Sequence, residues 1–193
     1  IILSMRHITK RFPGVVALDD VTFDVHVGEV HGLVGENGAG KSTLMKIMSG
    51  VYTDFEGEML LNGQSVAFHN TREGQDSGIA MIHQELNLVS ELTVYENIFL
   101  GREPVKGPRF LDRLDNGKMN EVSRDLLKKV GITKDIPSST LVNAISGGER
   151  QAVAIARALY FKSDLIILDE PTNNLGVEET RGVLHFVRSA RDS

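Results

Sequence analysis

Residues 35–43 read Gly-Glu-Asn-Gly-Ala-Gly-Lys-Ser-Thr, a glycine-rich stretch that ends in a lysine and two hydroxyl side chains. It matches G-x-x-x-x-G-K-[ST], the pattern of a phosphate loop, whose backbone N–H groups surround phosphate oxygens. Glycine permits the positive φ angles and close backbone approach that such a loop requires, and a following helix adds the free amides of its first turn. The stretch therefore predicts a chain that binds a polyphosphate. A glycine-rich turn with a solvated lysine is the alternative, and a match of this length disfavours it.

Within the phosphate loop, each residue type suggests a role. Lys41 adds a full positive charge, and the hydroxyl of Ser42 is placed to bind a Mg²⁺ ion that bridges two phosphates. The residues expected to contact the nucleotide phosphates are Gly35, Asn37, Gly38, Ala39, Gly40, Lys41, Ser42 and Thr43.

The sequence around the loop predicts an α/β core. Residues 30–34 form an apolar run that is typical of a buried strand, and apolar residues at helical spacing follow the loop. Two more short apolar runs, residues 79–82 and 165–168, have the same character as strands covered on both faces by helices. We expect a P-loop NTPase core with a mostly parallel sheet.

Other segments predict an antiparallel β subdomain. Residues 21–27 alternate between apolar and polar side chains, and residues 3–9 are expected to pair with them. Asn62-Gly63 joins two apolar runs, which is a strong signal for a two-residue hairpin turn.

The character of the chain changes between residues 86 and 159, where we expect a helical insertion. Thr93 and Glu96 match a capping box, and residues 116–130 carry apolar side chains at helical spacing. The sequence thus predicts one domain, in which residues 1–85 and 160–193 form the nucleotide-binding core with its antiparallel layer. Residues 86–159 form the helical subdomain.

Two carboxylates follow the apolar run at residues 165–168. Asp169 and Glu170 stand before Pro171, which ends the strand. In a phosphate-loop fold, an acid at this place holds Mg²⁺, so Asp169 is the candidate metal ligand. Glu170 is the candidate general base, because a carboxylate can orient a water molecule and accept its proton. A solvated acidic turn is the alternative, which the phosphate loop makes less attractive.

A second possible phosphate site lies at residues 146–149. Ser146 and Glu149 match a capping box, and Gly147 and Gly148 between them leave the first amides of a helix open to an anion. A capping box by itself is common and purely structural, so that reading stays open for this segment taken alone.

Composition excludes several classes of function. The chain contains no cysteine, which removes disulfides and thiolate metal sites, and its formal net charge of −5 gives no general attraction for nucleic acid. No apolar stretch approaches the roughly 20 residues that cross a bilayer. The histidines show no metal-ligand spacing.

Taken in order, these motifs resemble the nucleotide-binding domain of ATP-binding cassette (ABC) transporters. The resemblance rests on the phosphate loop, on Gln84, on residues 145–149 and on residues 165–170, and it spans nearly the whole chain. It implies that Ser146, Gly147 and Gly148 bind the γ-phosphate of an ATP held by an opposite subunit. It also implies that Gln84 touches Mg²⁺ and the attacking water, and that Phe12 stacks on adenine.

Residues 11–21, 30–52 and 81–103 are similar to one branch, the ATP-binding subunits of bacterial ribose, galactose and xylose importers. The resemblance implies an ATPase with ATP and Mg²⁺ as cofactors. The implied partners are a second ABC ATPase domain, identical or different, integral membrane permease subunits and, indirectly, a sugar-binding protein. It places the protein peripherally on the cytoplasmic face of the bacterial inner membrane, with no nucleic acid partner.

The chain departs from the family pattern at three places. Glu149 replaces the usual glutamine, and we expect a modest cost because the capping box engages it and Arg150 screens it. Residues 173–176 read Asn-Asn-Leu-Gly and lack the usual acid. The family's switch histidine lies on a further strand, and His185, in a helix predicted over residues 177–191, is a surface or packing residue. The chain is therefore expected to be a fragment that hydrolyses ATP weakly.

Two other functions stay open at this point. One is a soluble ABC ATPase that acts on ribosomes or DNA, although the chain shows no basic or coiled-coil element. The other is a non-catalytic nucleotide-binding half of an asymmetric pair, which the intact Asp169-Glu170 disfavours.

Overall fold

The structure is a computed structural model that describes residues 1–82, 87–107, 113–132, 134, 136–160, 163–171 and 176–191, without the side chains of residues 178, 179 and 189. The chain divides into two compact units. The first unit comprises residues 1–81, 163–169 and 190–193, and the second comprises residues 82–162 and 170–189. The second unit thus takes in residues 170–189, which the sequence assigns to the core. The predicted division into subdomains stays a prediction.

A four-stranded antiparallel sheet forms one layer of the first unit. Its strands are β1 (Leu3–Phe12), β2 (Val15–Val25), β3 (Glu56–Leu61) and β4 (Gln64–Ser65), in the order β2-β1-β3-β4. Leu3 pairs with Val25 on one side and with Leu61 on the other, so β1 is central. The predicted antiparallel layer is confirmed.

The predicted Asn-Gly hairpin is also confirmed. Asn62 and Gly63 have φ angles of 51° and 77°, which is the all-positive backbone of a tight turn that matches strand twist. Leu61 pairs directly with Gln64 across this turn. The second strand of the hairpin is β4, Gln64–Ser65, so it ends before the apolar residues 66–68.

The core of the first unit lies between this sheet and helix α1 (Lys41–Met48). Leu3, Met5 and Ile8 of β1 are fully buried. Helix α1 contributes four buried apolar residues at helical spacing, which are Leu44, Met45, Ile47 and Met48. Burial of this apolar face, rather than helix propensity, stabilises so short a helix in water.

The expectation of a buried strand at residues 30–34 is wrong. These residues are irregular, and Val30 and Val34 are 55% and 93% exposed. An apolar run becomes a strand only when a neighbour pairs with its backbone groups, and no strand in the described part of the chain pairs with this run. The sequence pattern alone does not supply that neighbour.

The other two apolar runs do form strands. After helix α2 (Thr71–Asp76), strand β5 (Ile79–Ile82) pairs with β8 (Leu165–Leu168) in a two-stranded sheet. Ile79, Ala80 and Ile82 are buried, as the continuous apolar pattern predicts. Strand β8 ends directly before Asp169.

The second unit is mainly helical. It contains α3 (Val94–Phe99), α4 (Asn116–Lys129), α5 (Gly147–Tyr160) and most of α6 (Val177–Arg191), with a short hairpin of β6 (Val105–Lys106) and β7 (Arg113–Leu114). The predicted capping box of α3 is present, with the N–H of Thr93 donating to Glu96 at 2.8 Å. The hairpin was not predicted. None of the described helices is long and apolar enough to cross a membrane.

The close approach of the phosphate loop to β2 gives a first prediction. A Cβ on Gly40 would lie 2.5 Å from the carbonyl oxygen of Ala17, whereas a Cβ on Gly38 would meet nothing within 4 Å. Both glycines have positive φ angles, 88° and 86°. Gly38→Ala should therefore cost about 1–2 kcal/mol of unfolding free energy from strain alone, and Gly40→Ala at least ~1 kcal/mol more from the clash. Chemical denaturation measures both, and equal losses would contradict the clash.

Candidate functional site

The phosphate loop is an exposed turn whose glycines take left-handed backbone angles. Gly38 and Gly40 have φ angles of 86° and 88°, and the N–H of Ala39 donates to the carbonyl oxygen of Glu36 at 3.2 Å. Residues 34–39 are exposed. The loop is thus open to solvent where a phosphate group would approach.

Helix α1 begins at Lys41, directly after Gly40. Gly40 caps the helix without any side-chain hydrogen bond, and the first turn contains no acidic residue. The N–H groups of a helix's first turn have no partner within the helix, and they carry partial positive charge. This helix start is therefore suited to an anion.

Lys41 folds back over the loop. Its Nζ donates to the carbonyl oxygens of Gly35 and Glu36 at 2.7 and 2.8 Å. An ammonium has three donors, so these two bonds fix its position and leave a third donor for a phosphate oxygen. The loop's own carbonyl groups thus hold the charge in place.

The first unit also contains the oxygen donors expected for a metal ion. Ser42 is exposed in the first turn of α1, and Asp169 is half-buried at the end of β8. A hydroxyl and a carboxylate fit Mg²⁺, which prefers oxygen ligands and keeps several waters and substrate phosphates. No group of three or more His, Cys, Asp or Glu side chains that could hold a metal exists among the described residues. Gln84 lies outside the described residues, as do residues 172–175.

Glu170 follows Asp169 with an unusual backbone. Its φ angle is 48°, which few residues other than glycine adopt. Such angles cost of order 1–3 kcal/mol and are found at functional sites more often than elsewhere. Glu170 and the residues at positions 146–148 belong to the second unit.

The predicted capping box at the start of α5 is confirmed. The N–H of Ser146 donates to Oε2 of Glu149 at 2.8 Å, and the N–H of Glu149 donates to Oγ of Ser146 at 3.3 Å. The helix begins at Gly147. Gly147 and Gly148 therefore occupy its first turn.

The charge of Glu149 has a partner that the sequence did not reveal. Nζ of Lys134 donates to Oε1 of Glu149 at 2.9 Å. The backbone N–H of Ser146 lowers the pKa of the Glu149 carboxyl most, and the Lys134 ammonium lowers that pKa further. Fifteen residues separate the pair, so no local pattern could have found it.

Phe12 stands at the end of β1, half-buried. Its ring lies 5.3 Å from the ring of Tyr52, centroid to centroid, at an interplanar angle of 69°. Tyr52 was not predicted as a neighbour, since 40 residues separate it from Phe12 in the sequence. An aromatic face at this position suits a flat base.

Comparison with known proteins identifies the family. The family model for ABC transporters matches residues 18–173. A xylose import ATP-binding protein of Thermoanaerobacter pseudethanolicus is 48% identical over 192 residues, which cover 98% of this chain and 37% of the relative. The chain belongs to the ABC transporter family. Its resemblance to that family is confirmed.

A second relative has a similar extent of match to this ABC chain. A ribose import ATP-binding protein of Rubrobacter xylanophilus is 47% identical over 191 residues, which cover 99% of this chain and 37% of that protein. The chain spans little more than a third of the length of these curated relatives.

Solved structures confirm the fold class. A crystal structure of a nucleotide-free ATP-binding cassette from an ABC transporter has a TM-score of 0.84 at 25% identity, covering 99% of this chain and 77% of that one. A dimeric post-hydrolysis state of another ATP-binding cassette, bound to ADP and phosphate, has a TM-score of 0.81 at 24% identity, covering 98% of this chain and 83% of that one. The α/β P-loop class predicted from the sequence is therefore confirmed for this ABC chain.

The cap of α5 in this ABC chain gives a prediction on pH. Because the folded-state pKa of Glu149 lies below its ordinary value of 4.5, the ionised side chain stabilises the fold above that pH. This contribution is lost as the pH falls through the folded-state pKa. Glu149→Gln should keep the cap geometry, lose less than about 1 kcal/mol at pH 7, and lose stability less steeply below about pH 5.

Urea denaturation at several pH values measures this difference. Glu121→Gln, on an exposed position of α4, is the matched control for removing one carboxylate. Identical pH profiles for wild type and Glu149→Gln would contradict the prediction.

Proposed function

We propose that this chain is the ATP-binding and ATP-hydrolysing part of an ABC sugar importer. The observation that carries the proposal is the phosphate loop, with Lys41 held over it and the first turn of α1 free of any side-chain cap. The import proteins for xylose and ribose that match nearly the whole chain support sugar as the transported class.

ATP is the proposed nucleotide, and residues 35–43 are its proposed phosphate contacts. The backbone N–H groups at the start of α1 would donate hydrogen bonds to phosphate oxygens, and the remaining donor of the Lys41 ammonium would bind an oxygen near the γ-phosphate. We place the adenine on Phe12. These roles agree with the left-handed angles at Gly38 and Gly40, which turn the backbone at the loop.

We further propose Mg²⁺ as a cofactor, held by the Ser42 hydroxyl and the Asp169 carboxylate, with Gln84 as a third contact. A metal ion bound there would supply positive charge that offsets charge on the phosphate oxygens. The oxygen-donor chemistry of Ser42 and Asp169 supports this assignment.

Hydrolysis is proposed to use Glu170 as general base. The Glu170 carboxylate would orient a water molecule and accept its proton while the water oxygen bonds to the γ-phosphorus and the bond to the bridging oxygen breaks. Lys41 would stabilise the negative charge on the departing phosphates. The expectation that residues 1–193 alone hydrolyse ATP slowly stays a prediction.

A second ABC ATPase domain is the proposed partner. Ser146, Gly147 and Gly148 would bind the γ-phosphate held by that domain, so that two domains close head to tail on two nucleotides. The first turn of α5 supports this role because glycines occupy its first two positions. Membrane permease subunits and a sugar-binding protein complete the proposed importer, with the ATPase peripheral to the cytoplasmic face of the inner membrane. Co-purification with permease subunits, rather than with ribosomes, tests this assignment.

Removal of the loop lysine should weaken nucleotide binding. Lys41→Ala deletes the ammonium that two loop carbonyls hold in place, so we expect ATP affinity to fall about 10- to 100-fold, the range for a charge-assisted hydrogen bond. Isothermal titration calorimetry of the full chain with Mg-ATP measures the change. Lys118→Ala, on the exposed face of α4, is the control. Unaltered affinity in Lys41→Ala would refute the phosphate-loop assignment.

Removal of the proposed base should separate hydrolysis from binding. Glu170→Gln keeps the shape of the side chain but cannot accept a proton, so phosphate release by the transporter assembled with its permease should fall about 10²- to 10⁴-fold. ATP affinity should change less than about threefold, because the carboxylate acts on water. Unchanged steady-state turnover would remove Glu170 from the role of base.

A further inference from the structure

Lys10 is a buried cation of β1 that the proposed reaction does not use. Its side chain is 3% exposed, and its Nζ lies 2.6 Å from both Oδ1 and the backbone carbonyl oxygen of Asp54. Lysine is almost never buried so fully unless its charge has partners. Because burial of a charge costs free energy of desolvation, we infer that the Lys10 ammonium fixes the positions of the groups around it.

Those surroundings are two aromatic rings. Nζ of Lys10 lies 5.0 Å from the ring centroid of Phe12 and 5.5 Å from that of Tyr52. The face of an aromatic ring carries partial negative charge and attracts a cation within about 6 Å. The two rings also meet edge to face, a favoured aromatic arrangement. One ammonium therefore contacts both rings, and it lies over one face of Phe12.

Tyr52 connects this aromatic pair to the phosphate-loop helix. The N–H of Tyr52 donates to the carbonyl oxygen of Lys46 in α1 at 3.1 Å. The Nζ of Lys46 also lies 5.6 Å from the Tyr52 ring centroid. Helix α1 thus begins at the phosphate loop and is bonded, near its end, to the residue that packs against Phe12.

We propose that Lys10 is a positioning residue for the base of the bound nucleotide. It holds Phe12, through the paired ring of Tyr52 and the anchor at Asp54, with the ring face opposite Lys10 available for stacking on a flat aromatic base. This inference rests on the proposed nucleotide-binding function and names the residue that orders its base contact in advance. Lys10 itself touches no substrate.

The test compares a ligand that has a base with one that lacks it. Calorimetry of the full chain with Mg²⁺ uses ATP and inorganic tripolyphosphate as the two probes. Lys10→Met should weaken ATP binding about tenfold, because the stacking ring loses its fixed orientation, while tripolyphosphate affinity should stay within about twofold. A purely structural role would lower both affinities together. Arg6→Met is the matched control, since Arg6 lies on the same strand and pairs with Asp24 at 2.8 Å, and it should leave both affinities within about twofold.

A second variant keeps the test decisive if Lys10→Met fails to fold. Asp54 is 86% exposed, so Asp54→Asn removes the carboxylate from the Lys10 anchor with little risk to the core. It should weaken ATP binding about threefold and leave tripolyphosphate binding unchanged. Equal losses of affinity for the two ligands, or unchanged ATP affinity in both variants, would overturn the proposed role of Lys10. Neither result would contradict the proposed nucleotide-binding function. A wild-type chain that binds neither ligand would overturn the proposed function and this inference with it.

Discussion

Gly40 packs so closely against β2 that no side chain fits between the phosphate loop and this strand. A side-chain carbon at this position would lie 2.5 Å from a backbone oxygen of Ala17 and 2.7 Å from Cδ2 of Leu18. Only glycine allows the chain to turn there, with a φ angle of 88°, and begin α1 one residue later. The same turn sets where the first amides of α1 point and where Lys41 meets the loop carbonyls. The packing of Gly40 against β2 thus helps to fix the geometry of the phosphate loop.

The two helix starts proposed for phosphate binding differ in how they avoid repulsion between an acidic side chain and a bound phosphate. The first turn of α1 contains no acidic residue, and Lys41 adds positive charge beside it. The first turn of α5 contains Glu149, but the N–H of Ser146 and the Lys134 ammonium bind both carboxylate oxygens. A carboxylate that is already hydrogen-bonded and paired repels an incoming anion less than a free one. The structure thereby explains how a carboxylate can stand where the family commonly has an amide.

The features that the sequence predicts correctly are those that residues close together in the chain determine. The capping boxes at Thr93 and Ser146 and the Asn62-Gly63 turn depend on residues one to three positions apart, and all three are present. Residues 30–34 failed because a strand needs a neighbour that the pattern does not contain. The Lys134–Glu149 and Lys10–Asp54 pairs span 15 and 44 residues, so only the folded chain reveals them. The sequence therefore predicts the phosphate loop, but it does not predict the distant side chains that contact the proposed site.

One short helix, α1, connects the phosphate loop to the aromatic pair of Phe12 and Tyr52. The ring of Phe12 packs on Tyr52, and the backbone of Tyr52 is bonded to α1, whose eight residues span roughly 12 Å. Helix α1 fixes the distance between the phosphate loop at its start and Tyr52, which packs on Phe12 near its end. A ligand that contacts both the loop and Phe12 therefore requires little rearrangement of the protein. Affinity gained by such preorganisation appears only for a ligand that contains both parts. The proposed separation of base binding from phosphate binding is therefore a property of helix α1 and of the buried Lys10 on β1, and not of the phosphate loop alone.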